Sequence, residues 1–518
     1  MTLGRKPAVR ASLALALAAL ASTAVVACTA NSTSASGTQT RNLTVAIASI
    51  APPYTGSTQA NDSLRVTSNI FDPLIFRNPD TGQLTPGLAT KWTKLSPTVT
   101  DLTIRKDVTF QNGAPMTADD VAFTLSSQRL WGPNAIEPST LASTFSDVTV
   151  KNADTVEITT SQPDPALLDR LASQIGFVVP KAYLLEVGIQ RFGVHPIGTG
   201  PYQVQSITPG EKVVLTVNNN YWGPKPTYAS ITFDQVSDVT SRISGLATGQ
   251  YNIVTSVPPD QSNQVKTNGQ RIVSTQVDNV LELAFMTNQS DQPTSNPKVR
   301  QAMQLAIDRE GIANSLWNGQ VQVRDGFNLP VYRGFYDSAI PVITQNIATA
   351  KSLLASAGYG GQPIDLQYIN GYYTDLDLAL QAMLPMWKQA GLNVKLDPVA
   401  NFTLLNYGKL QVYATSSNIL LGDPISPIYT DWLSPNSVYV KMGRYTPSSA
   451  MSTAGRALAA STNTADRQKA FGTIATLWTT EVPAISLWQP VEIDGLGKGI
   501  SFVPDPRYWM RFAPVPGN

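Results

Sequence analysis

The sequence predicts an α/β protein with more than one lobe, and three observations carry that prediction. Segments with the two-residue period of strands recur through the first half of the chain. Helix signals with their own start and stop residues dominate the second half. The 518 residues, 42% of them hydrophobic, are enough for several cores.

Leu43, Val45 and Ile47 alternate with Thr44, Ala46 and Ala48, the pattern of a half-buried strand. Val148, Val150, Val156 and Ile158 flank the polar stretch Lys151-Asn152-Ala153-Asp154 and read as a β-hairpin. Further strands are expected at Lys212 to Val217, Ser230 to Val236, Ile253 to Val257 and Val280 to Met286. Asn296 is placed to cap a helix that has Pro297 at its first position, with Val299, Met303 and Ile307 on one face. Asn346 opens another, with Ile347, Ala350, Leu354 and Ala357 turned inward and Gly358 closing it in a left-handed cap. Thr374 to Ala390 is helical with a kink expected at Pro385, stops at Gly391 and leads into a strand from Leu392 to Leu396. Thr464 to Trp478 gives the last long helix, and Pro483 introduces the strand Ala484 to Trp488.

The N-terminus reads as an export signal, with Arg5, Lys6 and Arg10 before an apolar run from Ala11 to Val26. The run is shorter than the roughly 20 residues a membrane-spanning helix needs, and no later segment reaches that length. The sole cysteine, Cys28, follows Val25-Val26-Ala27, a stretch that resembles the lipobox of bacterial lipoproteins. That resemblance implies a lipidated Cys28 as membrane anchor, with Val25 in place of the more usual leucine. Thr29 to Thr40, all small or polar, then reads as a flexible tether with a reach of roughly 20 Å. Lys and Arg number 37 against 36 Asp and Glu, so no broad field is available to steer nucleic acid, and a nucleic-acid role is not expected.

The segment Leu102-Thr103-Ile104-Arg105-Lys106-Asp107-Val108-Thr109-Phe110-Gln111-Asn112-Gly113-Ala114-Pro115-Met116-Thr117-Ala118-Asp119-Asp120-Val121 has a clear local reading. Phe110 ends a strand, Asn112-Gly113 turns, and Thr117 with Asp120 forms a capping box for the next helix. Together with Ile197-Gly198-Thr199-Gly200-Pro201-Tyr202, Tyr221-Trp222-Gly223, Val299-Arg300-Gln301-Ala302, Ala306-Ile307-Asp308-Arg309 and Ala350 to Tyr359, it resembles the dipeptide/oligopeptide-type extracellular solute-binding proteins, family 5. The resemblance covers about Leu43 to Trp488.

It implies a two-lobed periplasmic-binding-protein-like fold of type II, in the large three-subdomain variety, with two crossing hinge segments near Met286 to Ser290 and Trp488 to Val491. Residues 1–28 are then a lipoprotein signal peptide and 29–40 the tether. Residues 41–70, 177–286 and 491–518 form the core of the first lobe, 71–176 an extra subdomain, and 287–490 the second lobe. It also implies a monomer that binds a small molecule or oligopeptide between its lobes and hands it to the permease subunits of an ABC importer. Cofactors, metal and catalytic residues are not expected.

In peptide-binding members of the family an aspartate three residues before an acidic-Pro pair neutralises the ligand amine. Here that pair resembles Asp423-Pro424, and the aspartate's position holds Leu420, with Ser417 where a tryptophan is usual and Asn418 beside it. The departure leaves three possibilities: a ligand without a free amine, a blocked amine, or an acid supplied from elsewhere. Asp423 reads both as a substitute acid and as an Asp-Pro turn former. Tyr54, Phe71, Phe285, Tyr429, Trp432 and Trp488 are candidate aromatic walls or core residues, and Asn288 is a candidate contact or hinge-turn residue.

Nickel chelates are known ligands in the family, yet His195 is the only histidine and is a poor metal site alone. An exported hydrolase of peptides or glycans is the rival class. The chain has no Gly-x-Ser-x-Gly elbow, no His-Glu-x-x-His and no Cys-x-x-Cys.

Overall fold

The computed structural model describes residues 42–516, apart from 51, 57–60, 80, 267–268, 341, 407–409 and 442. Cys28, the export signal and the tether lie outside the described residues.

Two β-sheets organise the chain. The first has seven strands, and at its centre Asn42–Ile47 runs parallel to both Ser230–Gln235 and Ile253–Val254. Lys212–Val217 and Tyr202–Thr208 extend it on one side, while Val491–Leu496 and Arg271–Gln276 extend it on the other. Leu43, Val45 and Ile47 are buried in the core beneath it, as their alternation predicts. The strand expected to reach Val257 pairs only through Ile253 and Val254. Beyond it the chain turns away at Ser256, which has a left-handed φ of 53°.

The second sheet has five strands in the order Asn393–Val399, Pro363–Ile369, Val412–Asn418, Asn279–Phe285 and Ala484–Trp488. Helices cover it. Pro297–Leu305 is capped by Asn296, Ile347–Ser356 by Asn346, and Leu376–Ala390 carries Pro385 internally and ends at Gly391 with φ 98°. The last long helix, Thr464–Glu481, runs about one turn past the expected Trp478. Among the described residues no helix is long and apolar enough to cross a membrane.

Between the first strand and the rest of its sheet the chain builds a separate antiparallel sheet. Its order is Ala89–Ser96, Val99–Ile104, Thr155–Thr160 and Phe145–Asn152, and the last two form the predicted hairpin. The family-like segment joins this sheet to the helix Ala118–Thr124, with the Thr117–Asp120 capping box formed. Phe110 does not end the strand, which stops at Ile104. It is instead a buried anchor whose backbone closes a tight turn at Gly113, φ 84°.

The chain crosses between the two large sheets twice. One crossing, Gln489–Pro490, falls within the expected Trp488 to Val491. The other is Val277–Asp278, not Met286 to Ser290, because Asn279–Phe285 already belongs to the second sheet. The strand expected at Val280 to Met286 is present as Asn279–Phe285, but nothing in the local pattern says which sheet it joins. The two crossings are tied together, since Val277 N donates to Pro490 O at 3.0 Å and Gln489 Nε2 donates to Val277 O at 3.0 Å.

Candidate functional site

A cavity of about 470 Å³ lies between the two lobes, against both crossings. The first lobe contributes Arg77, Asp169, Gln276, Asp505 and Arg507, the second Arg333, Phe335, Gly422 and Asp423, and the crossings supply Asp278 and Gln489. A smaller cavity of about 30 Å³ adjoins it, sharing Asp278 and Arg507 and adding Asn418, Leu420, Tyr508 and Trp509. Both sites are positioned by backbone. Ile419 N donates to Asp278 O and Asp278 N to Pro506 O, each at 2.9 Å, so the first crossing is pinned between the two lobes. Tyr508, at a left-handed φ of 62°, turns the C-terminal segment where Arg507 stacks over the Trp509 ring at 4.0 Å.

The charges in the cavity are unequally satisfied. Arg507 is paired with Asp505 through Nε at 2.8 Å and Nη2 at 2.5 Å, which leaves Nη1 without a partner. Asp423 accepts from Arg467 Nη2 at 2.6 Å and from Ile425 N at 2.9 Å, so its charge is already taken. Arg77 is buried, and its Nε and Nη2 have no partner. Its Nη1 reaches only to 4.0 Å from Asp169, beyond hydrogen-bond range. Burial and the neighbouring Arg507 lower the Arg77 pKa. Burial raises that of Asp169, against the pull of Arg77. Asp278, in the crossing itself, is pushed up to about 6 by burial, with Asp505 adding to the rise.

Of the residues expected at the site from sequence, Asn418, Leu420 and Asp423 line these cavities. The others are placed elsewhere. Tyr54 and Phe71 are packed in the first lobe's core, where Phe71 stacks on Phe177. Phe285 and Trp488 belong to the helix-covered face of the second sheet, and Trp488 packs on Trp317. Trp432 fills the opposite face, stacked on Tyr439 at 3.9 Å. Tyr429 is half-buried against the cores of both the second lobe and the four-stranded sheet. Each ring covers more apolar area inside a core than a polar cleft offers, which is why aromatic type alone misplaces it.

Ser417 points into the core rather than the cleft. Its Oγ donates to Oε1 of Glu282, a carboxyl that burial pushes up to about 8. Asn288 is exposed beyond the strand, away from either crossing. Sequence reasoning missed Arg77, Asp169, Asp278, Arg333 and Arg507. The available signal was modest: an acid just ahead of the predicted strand Val280 to Met286, in Gln276-Val277-Asp278-Asn279, and the Asp505-Pro506-Arg507 turn.

The sequence profile of the bacterial extracellular solute-binding proteins, family 5, matches residues 83–438. The chain belongs to that family. This family 5 protein is 27% identical over 317 residues to a probable ABC transporter periplasmic-binding protein, SapA, of Escherichia coli, covering 57% of each chain. The chain thus matches little more than half the length of that relative. Two solved structures, each 20% identical, share the fold. DppA of Helicobacter pylori in complex with the peptide STSA has a TM-score of 0.78 and covers 91% of this chain and 98% of its own. NikZ of Campylobacter jejuni in complex with Ni(L-His) has a TM-score of 0.77 and covers 90% and 97%. The fold is therefore that of the two-lobed periplasmic binding proteins, as the sequence motifs imply.

Proposed function

We propose that this family 5 protein is the substrate-binding component of an ABC-type importer, capturing an extracytoplasmic solute between its lobes and presenting it to the permease. The observation that carries the reading is the 470 Å³ cavity built on both crossings, because a ligand there touches both lobes only when they are closed. Its size suits a small solute or short peptide, within the roughly 300–1,000 Å³ of small-molecule sites. A peptide or peptide-like solute is the favoured class, supported by the peptide bound in the Helicobacter pylori DppA structure. Release of a bound solute, not its conversion, is the expected outcome, and the protein acts as a monomer held to the membrane by a lipidated Cys28.

Mass spectrometry of the small molecule that co-purifies with the protein, released by denaturation, tests the reading. That molecule should rebind without chemical change and stabilise the fold, by about 2.7 kcal/mol at 100 times its Kd. Catalytic conversion of it would place the protein among hydrolases. Cys28→Ala should abolish partitioning into detergent, and retention of that partitioning would refute the anchor.

A further inference from the structure

The cavity holds two opposite charges that receive no side-chain hydrogen bond from the described residues, although Arg77 and Asp169 approach to 4.0 Å. Asp278 lines both the large and the small cavity from the first crossing, and its carboxylate accepts no hydrogen bond among the described residues. No cation among them comes within ion-pair distance of it: Arg507 is held by Asp505, and Arg77 approaches Asp169 instead. Arg77 is the mirror case, a buried guanidinium that makes no hydrogen bond, while the neighbouring Arg507 keeps Nη1 open. A buried charge left without hydrogen bonds is costly, so a cleft that keeps one of each sign is complementary to something that brings both.

Leu420 sharpens the point. It lies in the small cavity beside Asp278, where it offers an apolar wall and no charge. Ile419, its neighbour, is hydrogen-bonded through its backbone N–H to the Asp278 carbonyl. The acid absent at position 420 therefore has a replacement next to it, on a different segment of the chain.

We propose that Asp278 takes the cationic nitrogen of the ligand and Arg77, supported by the open Nη1 of Arg507, takes its carboxylate or other oxyanion, so that the cleft selects compact zwitterions. This rests on the solute-binding reading above. Because Asp278 sits in the crossing, the ligand's positive charge acts directly on the segment that moves when the lobes close. A guanidinium matches a carboxylate with two parallel N–H donors, and a carboxylate holds an ammonium by a charge-assisted hydrogen bond. The 470 Å³ volume limits the distance between the two ligand charges to that of a short peptide or amino-acid derivative.

The experiment is isothermal titration of the full folded protein with a defined panel: dialanine, trialanine, their N-acetyl and C-amide forms, succinate, putrescine and maltose. The expected best binder is a free peptide, with acetylation or amidation each weakening it tenfold or more. In Asp278→Asn, acetylated and free forms should bind equally, and in Arg77→Gln, amidated and free forms should. Neither substitution removes a protein hydrogen bond, and thermal melts confirm that each variant is folded. The double variant Asp278→Asn/Leu420→Asp should regain at least a tenfold preference for the free amine, which a merely structural role for Asp278 would not produce. Tight binding of maltose, or of capped and free peptides alike, overturns the proposal while leaving a solute-binding protein. Absence of any binder in the panel also overturns it, and the solute-binding reading then stands or falls on the co-purified molecule.

Discussion

Single side chains decide how this protein reads pH. Asp278 titrates at about 6 in the folded chain because burial disfavours its charge, Asp505 repels it, and Arg77 and Arg507 only partly compensate. A carboxyl raised above its unfolded value binds its proton more tightly when folded, so its contribution to stability is greatest at low pH and declines as pH rises from about 4 to 6. Ligand binding has the opposite slope, because an ammonium needs the ionised form. We therefore expect trialanine affinity to fall about tenfold per pH unit below pH 6, while the unliganded protein melts higher at pH 4.5 than Asp278 would permit at pH 7. In Asp278→Asn the affinity slope should vanish and the stability slope should shrink by this group's share, since Asp431 and Glu282 are also raised by burial, which titration and thermal melts at matched pH will show. A pH-independent affinity between 4.5 and 7 in the wild type would remove Asp278 from the ligand contact.

At the scale of elements, the motifs that identify the family hold the first lobe together. Gln111 joins two of them. Its Nε2 donates to Ile70 O and Tyr202 O, each at 2.8 Å, and its Oε1 accepts from Gly198 N at 2.8 Å. The glycines of the second motif permit this approach, since a Cβ on Gly198 would come 2.3 Å from Ile70 O and one on Gly200 would come 2.5 Å from Asn69 O. Gln111→Ala removes three hydrogen bonds to part-buried backbone groups, of which Ile70 O keeps its bond from Gly200 N. It should cost about 2–4 kcal/mol in denaturant unfolding with little change in ligand affinity, whereas a selective loss of affinity would make Gln111 part of the site. The same locality explains what was legible in the sequence. Caps such as Asn296, Asn346 and Thr117 depend on neighbours two or three residues away, so position and spacing reveal them. Asp278 and Arg77 are 201 residues apart in number and meet only through the sheet order, which no local pattern encodes. The aromatic candidates lie away from the cavities for a related reason: Phe285 and Trp488 are in strands buried on both faces, where ring size serves packing.

Across the whole molecule, the two lobes meet through more than the crossings. Leu421 and Ile425, carried by the second lobe, are buried in the core of the four-stranded sheet of the first. On the far wall of the cleft Gly82 lies so close to Arg333 that a Cβ on it would come within 2.7 Å of the Arg333 Nε. Contacts between the lobes are lost when the lobes part, so these are expected to bias the balance between open and closed states without touching the ligand. Burying a leucine side chain contributes about 1.5–3 kcal/mol, and Leu421→Ala forfeits most of that in the closed state alone. Since apparent affinity scales with the fraction of closed, binding-competent protein, a loss of about 2 kcal/mol should weaken ligand binding up to roughly thirtyfold. X-ray scattering should then show a larger radius of gyration for unliganded Leu421→Ala than for the wild type, with saturating ligand restoring the wild-type value. Lobe unfolding should be little affected, because Leu421 supports neither of the two large sheets. If the variant scatters like the wild type and binds as tightly, closure does not depend on this contact, and the buried leucine only seals the cleft rim.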